Sequence, residues 1–126
     1  MGEITLVRHG QANSAATDEA GYDKLTALGH TQAAWLGDWI KAHDGPFDSV
    51  YSGSLRRQRE TVAGMGFSDV EVDERLNEIA YYDLSDAMAA AGLAERAGPD
   101  DFALHFPATL TAWRDGKINS TESYAA

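Results

Sequence analysis

Three short aliphatic or β-branched runs, separated by two segments of helical period, constrain this chain more than any other feature. Ile4-Thr5-Leu6-Val7 stops at a charged residue and a glycine and reads as a buried strand. Phe47 to Ser52 predicts a second strand and Val70-Glu71-Val72 a third. Between the first two lies a loop from Gln11 to about Asp23, then a helix. Thr26 has the chemistry of its N-cap, and Leu28, Gln32, Leu36, Trp39, Ile40 and His43 recur at helical spacing until Gly45-Pro46 stops it. Gly53-Ser54 opens a second helix that runs to about Gly64. Strand, helix, strand, helix, strand is the order of an α/β protein whose crossovers place helices on the faces of a parallel sheet. After Leu84 the pattern is helical and alanine-rich, broken at Gly98-Pro99, with a last helix from Asp100 to Arg114. With 126 residues and no repeat, linker or composition break, a single domain over 1–126 is expected.

Charge narrows the partners. Twenty acidic against ten basic residues give a formal charge of −10, a field that repels nucleic acid and anionic membranes. An anionic substrate would need local arginines to overcome it. No cysteine is present, so disulfide and thiol chemistry are excluded. No apolar run approaches the ~20 residues that span a bilayer, and the amino terminus lacks the pattern of a secretory signal. The expected location is the cytoplasm. Four scattered histidines lack metal-ligand spacing, and neither a metal nor another cofactor is expected.

Arg8-His9-Gly10 follows the first predicted strand, and ligands of open α/β sheets bind beyond the carboxyl ends of the strands. An arginine offers paired planar donors that match phosphate oxygens, and an adjacent imidazole can attack phosphorus. Gly10 would let the backbone approach a ligand closely. A second strand-to-helix junction, Ser52 to Thr61, carries three arginines at the start of a helix, where free amides and the dipole favour an anion. Arg56 and Glu60 have the spacing of a surface ion pair, which leaves Arg57 as the candidate ligand. Trp35 and Trp39, at helical spacing, read as core or helix-packing residues. Tyr81-Tyr82 reads equally as pocket mouth or packing.

Four segments together resemble the histidine phosphatase superfamily, in its phosphoglycerate mutase-like branch. They are Leu6-Val7-Arg8-His9-Gly10-Gln11, Leu25-Thr26-Ala27-Leu28-Gly29-His30-Thr31-Gln32-Ala33, Ser52 to Thr61, and Arg75-Leu76-Asn77-Glu78. The resemblance implies a three-layer α/β/α sandwich with a mostly parallel sheet. It places the phosphorylated histidine on His9, phosphate-binding arginines on Arg8 and Arg57, further substrate contacts on Gly10 and Gln11, and the carboxylate proton donor on Glu78. The two arginines would keep Glu78 ionised until a bound phosphate dianion restores negative charge.

Two departures stand out. Ala15 occupies the place of an asparagine that relatives often carry, and the second histidine of most relatives, late in the chain within a His-Gly segment, has no counterpart. Thr121 to Ala126 looks like the family's Glu-Ser region, which precedes that segment. The expectation is that these 126 residues are a piece of a longer chain, incomplete at the carboxyl end. If stable alone, the piece would be a homo-oligomer or take the missing strand from a partner chain. The implied function is hydrolysis of a small phosphorylated metabolite through a phosphohistidine. The alternatives are a phosphoglycerate mutase-type phosphotransferase and a catalytically impaired phosphate-binding or interaction domain.

Overall fold

A computed structural model describes residues 2–94, 102–120 and 123–124. Two compact units divide the chain, one of Met1–Asn13 with Asp23–Glu78 and the other of Ser14–Tyr22 with Ile79–Ala126. Helices combine with a small parallel sheet, the α/β class read from the pattern of runs.

The first unit is organised by a long helix, α2 (Ala27–His43). Its start follows from Thr26, whose hydroxyl oxygen accepts from the Gly29 amide at 3.1 Å, as an N-cap should. Its end carries Lys41, a cation suited to the carboxyl end of a helix dipole, and His43, whose Nδ1 lies 2.7 Å from the Trp39 carbonyl oxygen. Gly29, Ala33, Gly37 and Ile40 form the buried face, which packs on α3 (Arg56–Gly64). A Cβ on Gly37 would collide with the Met65 carbonyl, so this stripe of small residues sets how closely the two helices approach. The tryptophans accordingly do not pack in the core: Trp35 is 70% and Trp39 47% exposed. They share the helix but not the narrow face that the glycines give to α3. Trp39 instead stacks on His43, with ring centroids 4.4 Å apart. Ala33, Ile40 and Met65 make a small core, flanked by Leu36, Phe47 and Phe67.

Strands are shorter than the apolar runs predict. Among the described residues only β1 (Tyr51–Ser52) and β2 (Glu71–Val72) form a ladder, parallel, with Tyr51 opposite Glu71 and Ser52 opposite Val72. The amide of Asp73 donates to the Ser52 carbonyl at 2.9 Å and closes that register. The run at 4–7 is not the buried strand expected, since it joins no ladder and Ile4 and Leu6 are 86% and 91% exposed. β-branched residues favour a pleated surface, but a strand exists only where a neighbour supplies amides and carbonyls, and none of the described residues does so here.

In the second unit, α1 (Glu19–Tyr22) interrupts what reads as a loop, and α4 (Tyr81–Ala90) packs against α5 (Phe102–Arg114). Glu19 accepts from the Tyr82 amide at 2.9 Å, an acid placed on the positive end of α4. Leu84, Met88, Ala112, Trp113 and Ile118 form this unit's core. Tyr81 packs edge-on against Phe102, ring centroids 4.8 Å apart, and the Tyr82 hydroxyl donates to the Ala16 carbonyl at 3.1 Å. Packing is therefore what both tyrosines do among the described residues. The predicted break at Gly98-Pro99 and the Asp100 start of the last helix lie outside the described residues. No helix among the described residues is long and apolar enough to cross a membrane.

Candidate active site

The first unit brings three of the sequence-singled side chains into one cluster. The His9 side chain is 4% exposed, and its Nδ1 lies 2.6 Å from the Gly10 carbonyl oxygen. A carbonyl can only accept, so Nδ1 carries a proton and Nε2 is the nitrogen that faces the rest of the cluster. Nε2 lies 3.1 Å from Glu78 Oε2. That same oxygen accepts from Arg57 Nε at 3.1 Å. Arg57 is buried, with its side chain 2% exposed, whereas the Glu78 side chain is 43% exposed.

These contacts act on Glu78. Its hydrogen bond to His9 outweighs the desolvation that opposes it, and the charges of His9 and Arg57 add to the same effect, so its pKa falls from 4.5 to about 2. His9, more than the arginines, holds this carboxyl ionised. The linkage follows from the sign. A carboxyl whose folded pKa is depressed contributes stability that is complete above 4.5 and disappears as the pH falls towards about 2. The stability difference between the protein and its Glu78→Gln variant, followed by urea unfolding, should therefore be constant above pH 4.5 and shrink below it. A difference that stays level throughout that window would show that the ionised contact contributes nothing.

Arg8 and Gln11 are not drawn into the cluster. Arg8 is exposed and makes no hydrogen bond or ion pair among the described residues. Gln11 accepts from the Thr26 hydroxyl through its own Oε1 at 2.7 Å, and its carbonyl accepts from the Thr26 amide at 2.9 Å. A Cβ on Gly29 would strike that same Gln11 carbonyl, and one on Gly10 would strike the carbonyl of Gly29. The Leu25 to Ala33 motif thus seats the backbone that follows the histidine, a role its spacing alone does not disclose.

The other motifs brace one another in the same way. The Gly10 amide donates to Thr61 Oγ1 at 3.0 Å, and the Thr61 hydroxyl donates to the Arg57 carbonyl at 2.7 Å. One buried hydroxyl therefore links the His9 segment to the helix of Arg57. Thr61→Val keeps the shape and deletes the link, leaving the Gly10 amide without its acceptor. A loss of about 1–3 kcal/mol in urea unfolding is expected. In the fourth motif, Asn77 accepts from the Ser54 amide at 2.7 Å and donates to the Ser54 hydroxyl at 2.8 Å, which fixes the loop that delivers Glu78.

Glu60 does more than pair with Arg56 at the surface. Its Oε1 lies 2.7 Å from Arg56 Nε, and its Oε2 accepts from the Leu25 amide at 2.8 Å. Desolvation pushes the Glu60 carboxyl up, but the Leu25 amide and Arg56 pull it further down.

One residue at the site escaped the sequence reading. Asp23 accepts through Oδ2 from the Arg56 amide at 2.9 Å and through Oδ1 from the Arg57 amide at 2.9 Å. The amides expected to await an anion at the start of α3 are thus occupied by a carboxylate of the chain. Leu55, the N-cap residue, has no side-chain acceptor, and Asp23 serves in its place. Nothing in local spacing ties an acid in a loop to a helix 33 positions later.

His30 is exposed, His43 is stacked on Trp39, and His105 lies in α5 of the second unit. Among the described residues no group of histidine and acidic side chains could hold a metal ion.

Comparison with known proteins agrees with the motifs. Residues 4–125 match the histidine phosphatase superfamily (branch 1), and the chain belongs to that family. Among curated relatives, a 2,3-bisphosphoglycerate-dependent phosphoglycerate mutase of Methylorubrum populi is 36% identical over 91 residues, covering 65% of this chain and 43% of the relative. A protein of the same name from Mesorhizobium japonicum is 35% identical over 92 residues, 65% of this chain and 44% of its own length. The chain spans less than half the length of these relatives. A solved structure from Nakamurella multipartitia, assigned there as phosphohistidine phosphatase SixA, is 23% identical with a TM-score of 0.49, over 93% of this chain and 71% of that one.

Proposed function

We propose that the chain performs phosphoryl transfer to water, as a phosphomonoester hydrolase acting on a small phosphorylated metabolite through a phosphohistidine on His9. The observation that carries this reading is the shared Glu78 oxygen, 3.1 Å from both His9 Nε2 and Arg57 Nε. An anionic oxygen already rests between the nucleophilic nitrogen and a buried guanidinium, which is where an oxygen of a bound phosphate would rest.

The reaction then runs in two balanced halves. A phosphate monoester takes the place of Glu78 on Arg57, with the exposed Arg8 as a second cation. As its cationic contacts are exchanged for a dianion, the Glu78 carboxyl takes the Nε2 proton of His9, which leaves that nitrogen its lone pair. Nε2 attacks phosphorus in line, the phosphorus–oxygen ester bond breaks, and Glu78 gives its proton to the departing oxygen. In the second half, water attacks the phosphohistidine, Glu78 takes a proton from it, and phosphate leaves with Nε2 restored. The arginines hold the charge of the equatorial oxygens throughout, which is the main task in phosphoryl transfer.

Hydrolysis of p-nitrophenyl phosphate, together with an acid-labile, alkali-stable phosphoprotein trapped during turnover, tests this directly. Absence of both from folded protein would refute it. A mutase reading draws support from the names of the curated relatives. Interconversion of 2- and 3-phosphoglycerate that depends on a bisphosphorylated primer would favour it over hydrolysis. Phosphate or vanadate binding without any turnover would favour the impaired binding domain.

A further inference from the structure

We propose that Asp23 is the positioning residue for Arg57, the anchor that holds its guanidinium aimed at the phosphate site while the other contact of that guanidinium is exchanged for substrate. The proposal rests on the reading of Arg57 as a phosphate ligand.

A single carboxylate engages both ends of one residue. Asp23 Oδ1 accepts from the Arg57 backbone amide at 2.9 Å and lies 3.2 Å from Arg57 Nη1. Its other oxygen accepts from the Arg56 amide at 2.9 Å. With the backbone and the side-chain tip of Arg57 tied to the same group, the guanidinium has a fixed direction relative to the first turn of α3.

The two acids on Arg57 differ in kind. The Glu78 side chain is 43% exposed, and its Oε2 meets only side chains, His9 and Arg57. Asp23 is half as exposed, 23%, and binds two backbone amides as well as the guanidinium. A substrate phosphate competes with Glu78 for Arg57 Nε and leaves the Asp23 contact in place. The rigid acid and the replaceable acid thus hold different nitrogens of one fork, Nη1 and Nε.

Asp23 is itself held in position. The Lys24 carbonyl accepts from the Asn13 amide at 3.0 Å, Leu25 is buried and forms an antiparallel bridge with Ala12, and the Leu25 amide donates to Glu60 of α3. The segment and the helix therefore grip each other twice, through Asp23 on the first turn of α3 and through Glu60 on Leu25.

A residue that merely caps a helix would affect stability alone. Asp23→Asn and Asp23→Ala separate the two roles. The asparagine keeps one acceptor oxygen for a backbone amide but loses the ionic hold on Nη1, so it should recover part of the stability lost in the alanine variant without recovering activity. With p-nitrophenyl phosphate, measured on the full chain at a temperature where circular dichroism shows each variant folded, kcat should fall about 10- to 100-fold in both variants, the scale of a misplaced binding group. An unchanged kcat per folded molecule would overturn the proposal.

Should the parent protein show no turnover, the hydrolase reading fails, and the positioning role is decided separately by the nitrogen-bound guanidinium protons of Arg57 in NMR. They should exchange slowly in the parent and in Glu78→Gln, and rapidly in Asp23→Ala. Equal protection in parent and Asp23→Ala, or rapid exchange in the parent, overturns it.

Discussion

Replacing His9 by alanine should reduce hydrolysis of p-nitrophenyl phosphate by at least about 10³-fold and abolish the trapped phosphoprotein, because the proposed covalent intermediate forms on its imidazole. His43 is stacked on Trp39, and His30 is exposed on α2. The scale follows from the chemistry, in which arginines that still bind phosphate cannot attack it. Loss of the imidazole also removes the hydrogen bond from Nδ1 to the Gly10 carbonyl, but that carbonyl belongs to a segment also held by Thr61. The variant should therefore remain folded by circular dichroism and still bind orthovanadate through Arg57. A variant that keeps a tenth of the parent rate would remove His9 from the role of nucleophile.

Arg57→Ala should be the most damaging substitution in the first unit. The guanidinium is 2% exposed and meets Asp23 at 3.2 Å and Glu78 at 3.1 Å, so its removal takes a buried cation from two carboxylates at once, leaving Glu78 only its His9 contact and Asp23 only its two backbone amides. Breaking a fully buried pair in this way costs about 3–5 kcal/mol; here both acids are partly solvated, and about 3 kcal/mol is expected. Activity should fall by about 10²- to 10³-fold in kcat/KM as the charge opposite the equatorial oxygens is lost. Arg57→Lys separates stability from catalysis. It keeps a positive charge, restoring part of the stability, but lacks the planar fork that reaches Asp23 and a phosphate together. Urea midpoints and kinetics on the same preparations test both. Equal activity in the lysine variant and the parent would mean that charge alone, without direction, suffices.

Much of this was legible in the sequence, for reasons that differ between elements. Thr26 and Gly45-Pro46 bound α2 because caps and proline act locally, through one or two bonds near the residue itself. The periodicity of α2 was equally legible, but which face would be buried was not. Mass and apolarity point to Trp35 and Trp39, whereas close helix approach selected Ala33 and Gly37, and close approach of the Gln11 backbone selected Gly29. Ile4 to Val7 has the composition of a strand, but pairing depends on a neighbour that composition does not specify. For the site, Arg57 and Glu78 were found through the order of four motifs, and the structure brings Glu78 against His9 and Arg57 against Glu78. Asp23 was missed because its partners, Arg56 and Arg57, lie more than thirty positions away and its own neighbours carry no pattern. The family's four segments prove to be parts of one hydrogen-bonded frame, with Thr26, Thr61 and Asn77 as its joints.

The placement of the three tryptophans decides what intrinsic fluorescence will report. Trp113 is 8% exposed in the core of the second unit, so its emission should shift to the red when that unit unfolds. Trp35 and Trp39, in the first unit, already face solvent and have little left to gain in exposure. Emission wavelength is thus a private optical channel for the half of the chain that does not hold the candidate site. Far-ultraviolet dichroism, to which α2 and α3 contribute directly, registers the first unit as well. A denaturation curve that differs between the two signals would give the separate stabilities of the two units from one titration.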